Sequence, residues 1–375
     1  MMVGPGRTGG PHAMHQLADA LMEMGHDVGI FYTLESARGL TWAGGEHANN
    51  YVLEHPNLNV IDESFFSQDA VIFLPEVWAH WALDLAVNHR VIVWWLSVDY
   101  GLLAIGRKRC FLDHYRTHPS IFNAYQSSYA KAFLDALGLN PFNLSLSDYT
   151  TVNLALGPKA SHERSPTPKI CFNPMKGAWL SNYFMEAHKD ITCIPIAGLN
   201  SAELIQVFKT SHFYIDFGSL PGKDRLPREA LAAGARIFLH TAGDGSFEQD
   251  WRLPAHAYFT AADCISGDLY KRIKTHLNDT NEPEWQAARE AVALEQKNFK
   301  RECQELVKTL ELQADQKGTN EIISRRINSF YRFEDELTRA ERRIHAVENS
   351  SSWKLTAPIR KLLARISGVE TDLVR

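Results

Sequence analysis

From Phe213 to Phe238 the chain reads Phe-Tyr-Ile-Asp-Phe-Gly-Ser-Leu-Pro-Gly-Lys-Asp-Arg-Leu-Pro-Arg-Glu-Ala-Leu-Ala-Ala-Gly-Ala-Arg-Ile-Phe. Phe213 to Phe217 is a short β-type run, and a loop from Gly218 to Pro227 follows it, crowded with Lys223, Asp224 and Arg225 and with Arg228 just beyond. A helix is predicted to open at Pro227, to carry Glu229 in its first turn and to stop at Gly234, because proline just inside the start and glycine past the end are the usual helix punctuation. Ala235 to Leu239 is then a second apolar run. Strand, charged loop, helix and strand make one βαβ-like unit, with its loop at the strand's carboxyl end, where open α/β sheets bind ligands. Cations beside Gly222 at a helix N-terminus suit an anion; the plainer alternative is a solvated loop.

Working outward, the same alternation recurs on both sides. Residues 12–24 place Met14, Leu17, Ala18, Leu21 and Met22 at helical spacing, with Gly25 as the stop. Apolar β-type runs follow at Val28 to Tyr32, Leu58 to Ile61, Ala70 to Leu74 and Val91 to Val98, with a helical stretch from Glu76 to Val87. A further run, Ile121 to Tyr125, precedes a helix from Ser127 to Leu137 closed by Gly138. Near-continuous apolar strands alternating with helices indicate a parallel sheet covered on both faces. Residues 157–168 contain three prolines and no periodicity, so they read as a linker between domains. A second series then runs through Lys169 to Phe172, a helix after Gly177, Ile191 to Ile196, a helix from Ser201 to Phe208, the opening stretch, and a strand at Ala257 to Thr260. The expected organisation is a first Rossmann-like domain over 1–156, a second over 169–280, and a helical tail over 281–375.

The bulk properties fit this plan. A chain of 375 residues, 45% hydrophobic and 22% charged, is long enough for two globular domains. No uncharged apolar run approaches the roughly 20 residues of a membrane span, and the start carries no export pattern, so a cytoplasmic protein is expected. The five cysteines are scattered and lack a Cys-x-x-Cys pair, which points to buried thiols rather than disulfides or structural zinc. The net charge of −5 is uneven: the segment from Arg339 to Arg365 carries +5, leaving −10 on the rest. So acidic a body is a poor general nucleic-acid binder. The basic, apolar end from Trp353 to Ile366 suits either peripheral contact with a membrane face or docking and self-association.

Gly4, Gly6 and Gly9 match Gly-x-Gly-x-x-Gly, yet only Met1 to Val3 precede them and no well-placed acid ends the next strand, so a dinucleotide fingerprint is not supported. Gly9 and Gly10 remain a ligand-facing turn before the first helix. Beside that turn stand His12 and His15, and Asp99 follows the most apolar strand; any of the three could accept a hydroxyl proton in a cleft between the domains. The plainer alternatives are a satisfied helix residue for His15, a cap or turn residue for Asp99, a turn former for Asp148, and core packing for Trp94 and Trp95.

Several motifs together resemble GT-B glycosyltransferases, and more closely those of bacterial capsule and lipopolysaccharide gene clusters. They are Thr-Gly-Gly-Pro-x-x-x-His-Gln-Leu (Thr8 to Leu17), Trp-Trp-Leu-Ser-Val-Asp (Trp94 to Asp99), Gln-Ser-x-Tyr-Ala (Gln126 to Ala130), Leu-Ser-Asp-Tyr (Leu146 to Tyr149), Asn-Pro-x-Lys-Gly (Asn173 to Gly177) and Pro-Gly-Lys-Asp-Arg-Leu-Pro-Arg-Glu-Ala (Pro221 to Ala230). The resemblance covers residues 1–275 and implies an α/β fold of two doubly wound domains facing across a cleft. It implies a nucleotide-sugar as co-substrate on the second domain, with no cofactor, and a glycan or lipid-linked acceptor on the first. Lys176 and Arg225 fall where cations meet the donor diphosphate, and Glu229 where a glutamate accepts hydrogen bonds from ribose hydroxyls. Gly222, Lys223, Asp224 and Arg228 belong to the same expected donor loop. No metal is expected, since the chain has no Asp-x-Asp. One departure is plain: the acid that many retaining members carry eight positions before the helix glutamate is Pro221 here, which leaves the stereochemical outcome open. A sugar-nucleotide epimerase with the same cleft and a noncatalytic partner-binding homologue fit the same residues.

Overall fold

The computed structural model describes residues 1–36, 39–62, 70–107, 111–139, 144–150, 168–277 and 283–314. The chain divides into two compact units, Met1–Lys317 and Gly318–Arg375. The basic end of the chain, Cys110 and all of the expected linker but Pro168 lie outside the described residues.

The first half contains β1 (Met2–Val3), α1 (Gly9–Glu23), β2 (Phe31–Ser36), β3 (Gly39–Trp42), β4 (Val71–Pro75), α2 (Ala82–Leu85), β5 (Arg90–Trp95), α3 (Val98–Ile105), α4 (Phe111–Thr117), β6 (Ile121–Tyr125), α5 (Ser128–Leu137) and β7 (Leu144–Ser145). Strands β4 to β7 pair in parallel in sequence order. On the other side β1 pairs in parallel with β2, β3 adds an antiparallel edge, and β1 packs beside β4. The winding therefore reverses between β1 and β4, the kind of place where doubly wound sheets open a crevice. Residues of β5 from Val91 to Trp95 are buried, as a strand covered on both faces must be. Trp94 and Trp95 are core residues whose indole N–H groups donate to the Leu146 carbonyl (2.7 Å) and Asn123 Oδ1 (2.8 Å).

The second half contains β8 (Lys169–Phe172), α6 (Ala178–Ala187), β9 (Thr192–Pro195), α7 (Ser201–Thr210), β10 (Phe213–Asp216), α8 (Arg225–Ala232), β11 (Arg236–His240), α9 (Glu248–Trp251), β12 (Tyr258–Phe259), α10 (Ala261–Ser266), α11 (Asp268–His276), α12 (Pro283–Ala293) and α13 (Glu295–Ala314). Its five parallel strands run in the order β12-β11-β10-β8-β9, so the winding reverses between β8 and β10. Both sides of the opening stretch are thus strands of one sheet, with Phe213 lying between Ile170 and Arg236. Helix α8 begins at Arg225, two residues before the expected Pro227.

The two helices after residue 282 divide their loyalties. Trp285 and Ala288 of α12 are buried in the second-domain core. Phe299, Cys303 and Leu306 of α13, spaced along one helical face, are buried against α1 and the first sheet. Among the described residues no helix is long and apolar enough to cross a membrane, and Cys171, Cys193, Cys264 and Cys303 are free thiols.

Candidate functional site

The reversal point of the second sheet is built by two glycines. Gly177 follows β8 with φ of 61°, a left-handed conformation that suits glycine, and a Cβ there would overlap the Phe217 carbonyl. Gly218 follows β10, and a Cβ on it would overlap the side chain of Lys176. The loops after β8 and β10 therefore touch backbone to backbone. Gly177 caps α6 without a side-chain hydrogen bond; the Leu180 and Ser181 N–H groups donate to the Gly177 carbonyl, and the N–H groups of Ala178 and Trp179 before them have no side-chain acceptor, which suits an anion. Lys176 stands on the same turn, partly exposed and ion-paired with Asp224. Beneath them Asp216 is buried; it accepts from the Tyr214 hydroxyl (2.7 Å) and the Gly218 N–H (3.1 Å). Burial raises its carboxyl to about 6 despite those two donors.

Glu229, in the second turn of α8, is half-buried and its carboxylate makes no hydrogen bond among the described residues. Burial raises its pKa, while Arg225 and Arg228 pull it back. It is the free carboxylate of this group. Arg225 reaches across to the first domain: its Nη2 donates to the Tyr149 carbonyl (2.6 Å), and a Cβ on Gly9 would touch its stem. Burial lowers its pKa, with Asp148 opposing.

Three other residues expected on the donor loop serve the seam between the domains. Arg228 is fully buried and every N–H of its guanidinium has an acceptor: Nη2 on both oxygens of Asp148 (2.8 and 3.0 Å) and the Lys223 carbonyl (2.9 Å), Nη1 on Glu295 (3.0 Å) and the Asp148 carbonyl (3.3 Å), Nε on the Asp224 carbonyl (3.1 Å). No donor is left for a phosphate. Burial alone would raise Asp148, but Arg228 and Arg225 hold it below the usual carboxylate range. Lys223 spends its N–H on Gln126 Oε1 (3.1 Å) and its ammonium on Glu295 (3.1 Å). Gly222 is a matter of space: a Cβ there would overlap the carbonyl oxygen of Leu96, and next to it the Val98 N–H donates to the Pro221 carbonyl at 2.6 Å. In this structure all three face the first domain. Cations beside a glycine do suit an anion, but here the anions of Arg228 and Lys223 are Asp148 and Glu295.

On the first-domain wall, His15 is fully buried, with Nδ1 on the Pro11 carbonyl (2.6 Å), Nε2 on the Tyr32 hydroxyl (2.9 Å) and its ring stacked on Tyr51 at 3.7 Å. Both nitrogens are spent, so it has no lone pair for a substrate. The satisfied helix residue is the better description, and burial lowers its pKa to about 4. His12 lies one turn earlier with its Nε2 3.0 Å from Glu54. Burial and then the Arg225 charge lower it to about 3. Asp99 is exposed in the first turn of α3, which Ser97 caps by accepting from the Tyr100 N–H, and it accepts from the Tyr129 hydroxyl at 3.3 Å. Gly9 and Gly10 open α1, Gly9 against Arg225 and Gly10 against Leu96.

Sequence reasoning read Asp148 as a turn former, noted Gln126 only within a motif, and passed over Glu295 and Asp250. The last of these accepts from the N–H and hydroxyl of Ser128 at 2.8 and 2.9 Å, across the domains. Asp148 and Gln126 stand in the motifs Leu-Ser-Asp-Tyr and Gln-Ser-x-Tyr, which flagged them without revealing a partner 80 or 97 residues away.

No family model and no curated protein matches this sequence. Solved structures do. A glycosyltransferase from Rickettsia africae ESF-5 aligns with TM-score 0.53 and 13% identity over 84% of this chain and 98% of its own. The catalytic domain of starch synthase IV from Arabidopsis thaliana, bound to ADP and acarbose, aligns with TM-score 0.48 and 10% identity over 81% and 98%. Sucrose-phosphate synthase from Thermosynechococcus elongatus aligns with 0.46 and 14% over 84% and 98%. At such identities only the fold transfers, and the first of the three carries it. Together with the two parallel, doubly wound sheets, it establishes the expected GT-B-type architecture.

Proposed function

We propose that this chain is a glycosyltransferase that moves a sugar from a nucleotide-sugar donor to a growing bacterial surface glycan, with the donor on the second domain and the acceptor on the first. The observation that carries the reading is the reversal point between β8 and β10. There the Gly177 and Gly218 backbones cross beside Lys176 and the N-terminus of α6, and Lys176 pairs with Asp224, the residue that opens the helix carrying the unpaired carboxylate of Glu229. A departing nucleoside diphosphate gathers negative charge. Preorganised N–H groups and cations stabilise that charge most in the transition state, each such contact being worth on the order of 3 kcal/mol of barrier. In this reading Lys176 exchanges Asp224 for the diphosphate, Arg225 supports it from the seam, Glu229 accepts from the ribose hydroxyls, and no metal is needed at the diphosphate. Of the acceptor-side residues, the exposed Asp99 remains available to take the hydroxyl proton. The likeness to a glycosyltransferase of the same fold and the motif resemblance to capsule and lipopolysaccharide transferases support the class and the acceptor.

The test is release of nucleoside diphosphate from a panel of nucleotide-sugars, with and without lipid-linked glycan acceptors. Release that rises on adding acceptor is the expected result. Conversion of the donor into another sugar nucleotide with no acceptor present would indicate an epimerase instead.

A further inference from the structure

We propose that His12, Glu54 and His55 form a site for one divalent metal ion of the borderline class, Zn²⁺ foremost, on the first domain beside the Gly9 turn. One ligand atom from each lies within 4.8 Å of the other two. Two imidazoles and one carboxylate are a donor set that suits Zn²⁺, at metal–ligand distances of about 2.0–2.2 Å. His12 Nε2 and Glu54 Oε2 are already 3.0 Å apart, about the separation of two ligand atoms on one such ion.

The orientation of His55 is the second observation. Its side chain is 3% exposed, its Nδ1 is engaged by the carboxylate of Asp19, and its Nε2 is buried with no hydrogen-bond partner. With the Nδ1–H committed to Asp19, the lone pair is on Nε2. A carboxylate behind one imidazole nitrogen and a metal before the other is how metal-binding histidines are fixed. His12 Nε2 is likewise buried and without a hydrogen bond, its approach to Glu54 having the wrong direction for one. Such atoms left unmatched in a protein interior are destabilising; an ion would match both together. Glu54 divides its oxygens: Oε1 pairs with Arg7, which leaves Oε2 turned to His12. Glu54 and His55 are in turn positioned by the same turn of chain, their N–H groups both donating to the Tyr51 carbonyl (3.0 and 2.8 Å).

Three protein ligands leave a tetrahedral ion one open position. His12 feels the charge of Arg225 and lies one turn past Gly9, which touches that arginine, so the ion adds positive charge to the first-domain wall of the cleft. It is separate from the diphosphate contacts proposed for Lys176 and Arg225. The chain separates His12 from Glu54 by more than forty residues, so the sequence shows no ligand spacing.

The test uses full-length protein stripped with chelator and titrated with Zn²⁺ by calorimetry, and with Co²⁺ by visible absorption. Comparison is with Glu54→Gln, His12→Ala and Asp19→Asn, each checked for folding by circular dichroism. Glu54 is 30% exposed, so Glu54→Gln is the variant least able to disturb the fold. The wild type is expected to take up one more equivalent than Glu54→Gln and His12→Ala, with tetrahedral cobalt bands that those variants lack. Asp19→Asn, which removes no ligand, is expected to bind about 10–100-fold more weakly. Equal uptake by folded wild type and Glu54→Gln, whether one ion or none, would overturn the proposal.

Discussion

At Arg228 a fully buried guanidinium depends on Asp148 and Glu295 for its charge balance, and removing one partner leaves the rest unpaired. Breaking a buried pair in that way typically costs about 3–5 kcal/mol. Asp148→Asn is therefore expected to lower unfolding stability by that amount in denaturant titration. Lys176 is the contrasting case. Its pair with Asp224 is partly exposed, so Lys176→Ala is expected to change stability by less than about 1 kcal/mol while weakening nucleoside-diphosphate binding. Glu76 gives a pH signature. Its carboxyl is buried at the end of β4, where it accepts from the Leu96 N–H (3.2 Å), and burial raises its pKa to about 8. A raised acid favours the folded state when protonated, so its stabilisation is full below the ordinary glutamate value of 4.5 and is lost as pH climbs to about 8. Glu76→Gln should thus gain on wild type by up to about 1.4 kcal/mol per pH unit across that window and level off above it. A difference between the two proteins that stays flat with pH would contradict it.

Elements were legible where one local signal decides them. The strands β5, β8, β10 and β11 are apolar runs bounded by polar turns, and α5 and α7 announce themselves through helical spacing and caps. Helix α3 was hidden because the apolar run Val91 to Val98 continues past the true strand end at Trp95; only Ser97, the cap, marks the change. Of Leu58 to Ile61, only Val60 forms an isolated bridge, to Ile30, and the stretch Glu76 to Val87 is a 3-10 turn followed by the short α2. The donor-side residues were half legible for a similar reason. Composition marks the loop as cationic, but which cations are free depends on pairings with Asp148 and Glu295 far along the chain. At this scale α13 makes a test of its own. Phe299 is buried between Trp94 and Tyr149, at ring separations of 6.5 and 5.3 Å. Phe299→Ala should cost about 3–5 kcal/mol, although it removes a side chain that arrives from beyond the second domain's sheet.

The described part of the chain holds two doubly wound sheets, joined by a seam to which Gly222, Lys223, Arg228, Asp148 and Glu295 contribute. That division of labour between the loop and the helix after it separates two kinds of variant. Gly222→Ala must push the Leu96 carbonyl away, and it should destabilise the domain pairing by about 1–3 kcal/mol. Glu229→Ala loses no side-chain hydrogen bond within the protein, and the burial of its carboxylate offsets the attraction of Arg225 and Arg228, so it should leave unfolding nearly unchanged and act on a ligand. Calorimetric titration of wild type and Glu229→Ala with a panel of nucleotide-sugars separates these cases most directly. One donor is expected to bind the wild type with one-to-one stoichiometry and to bind Glu229→Ala at least about 10-fold more weakly, as befits a lost hydrogen bond to a charged group. Failure of every nucleotide-sugar to bind, or equal affinity in the two proteins, would contradict a donor site on the second domain.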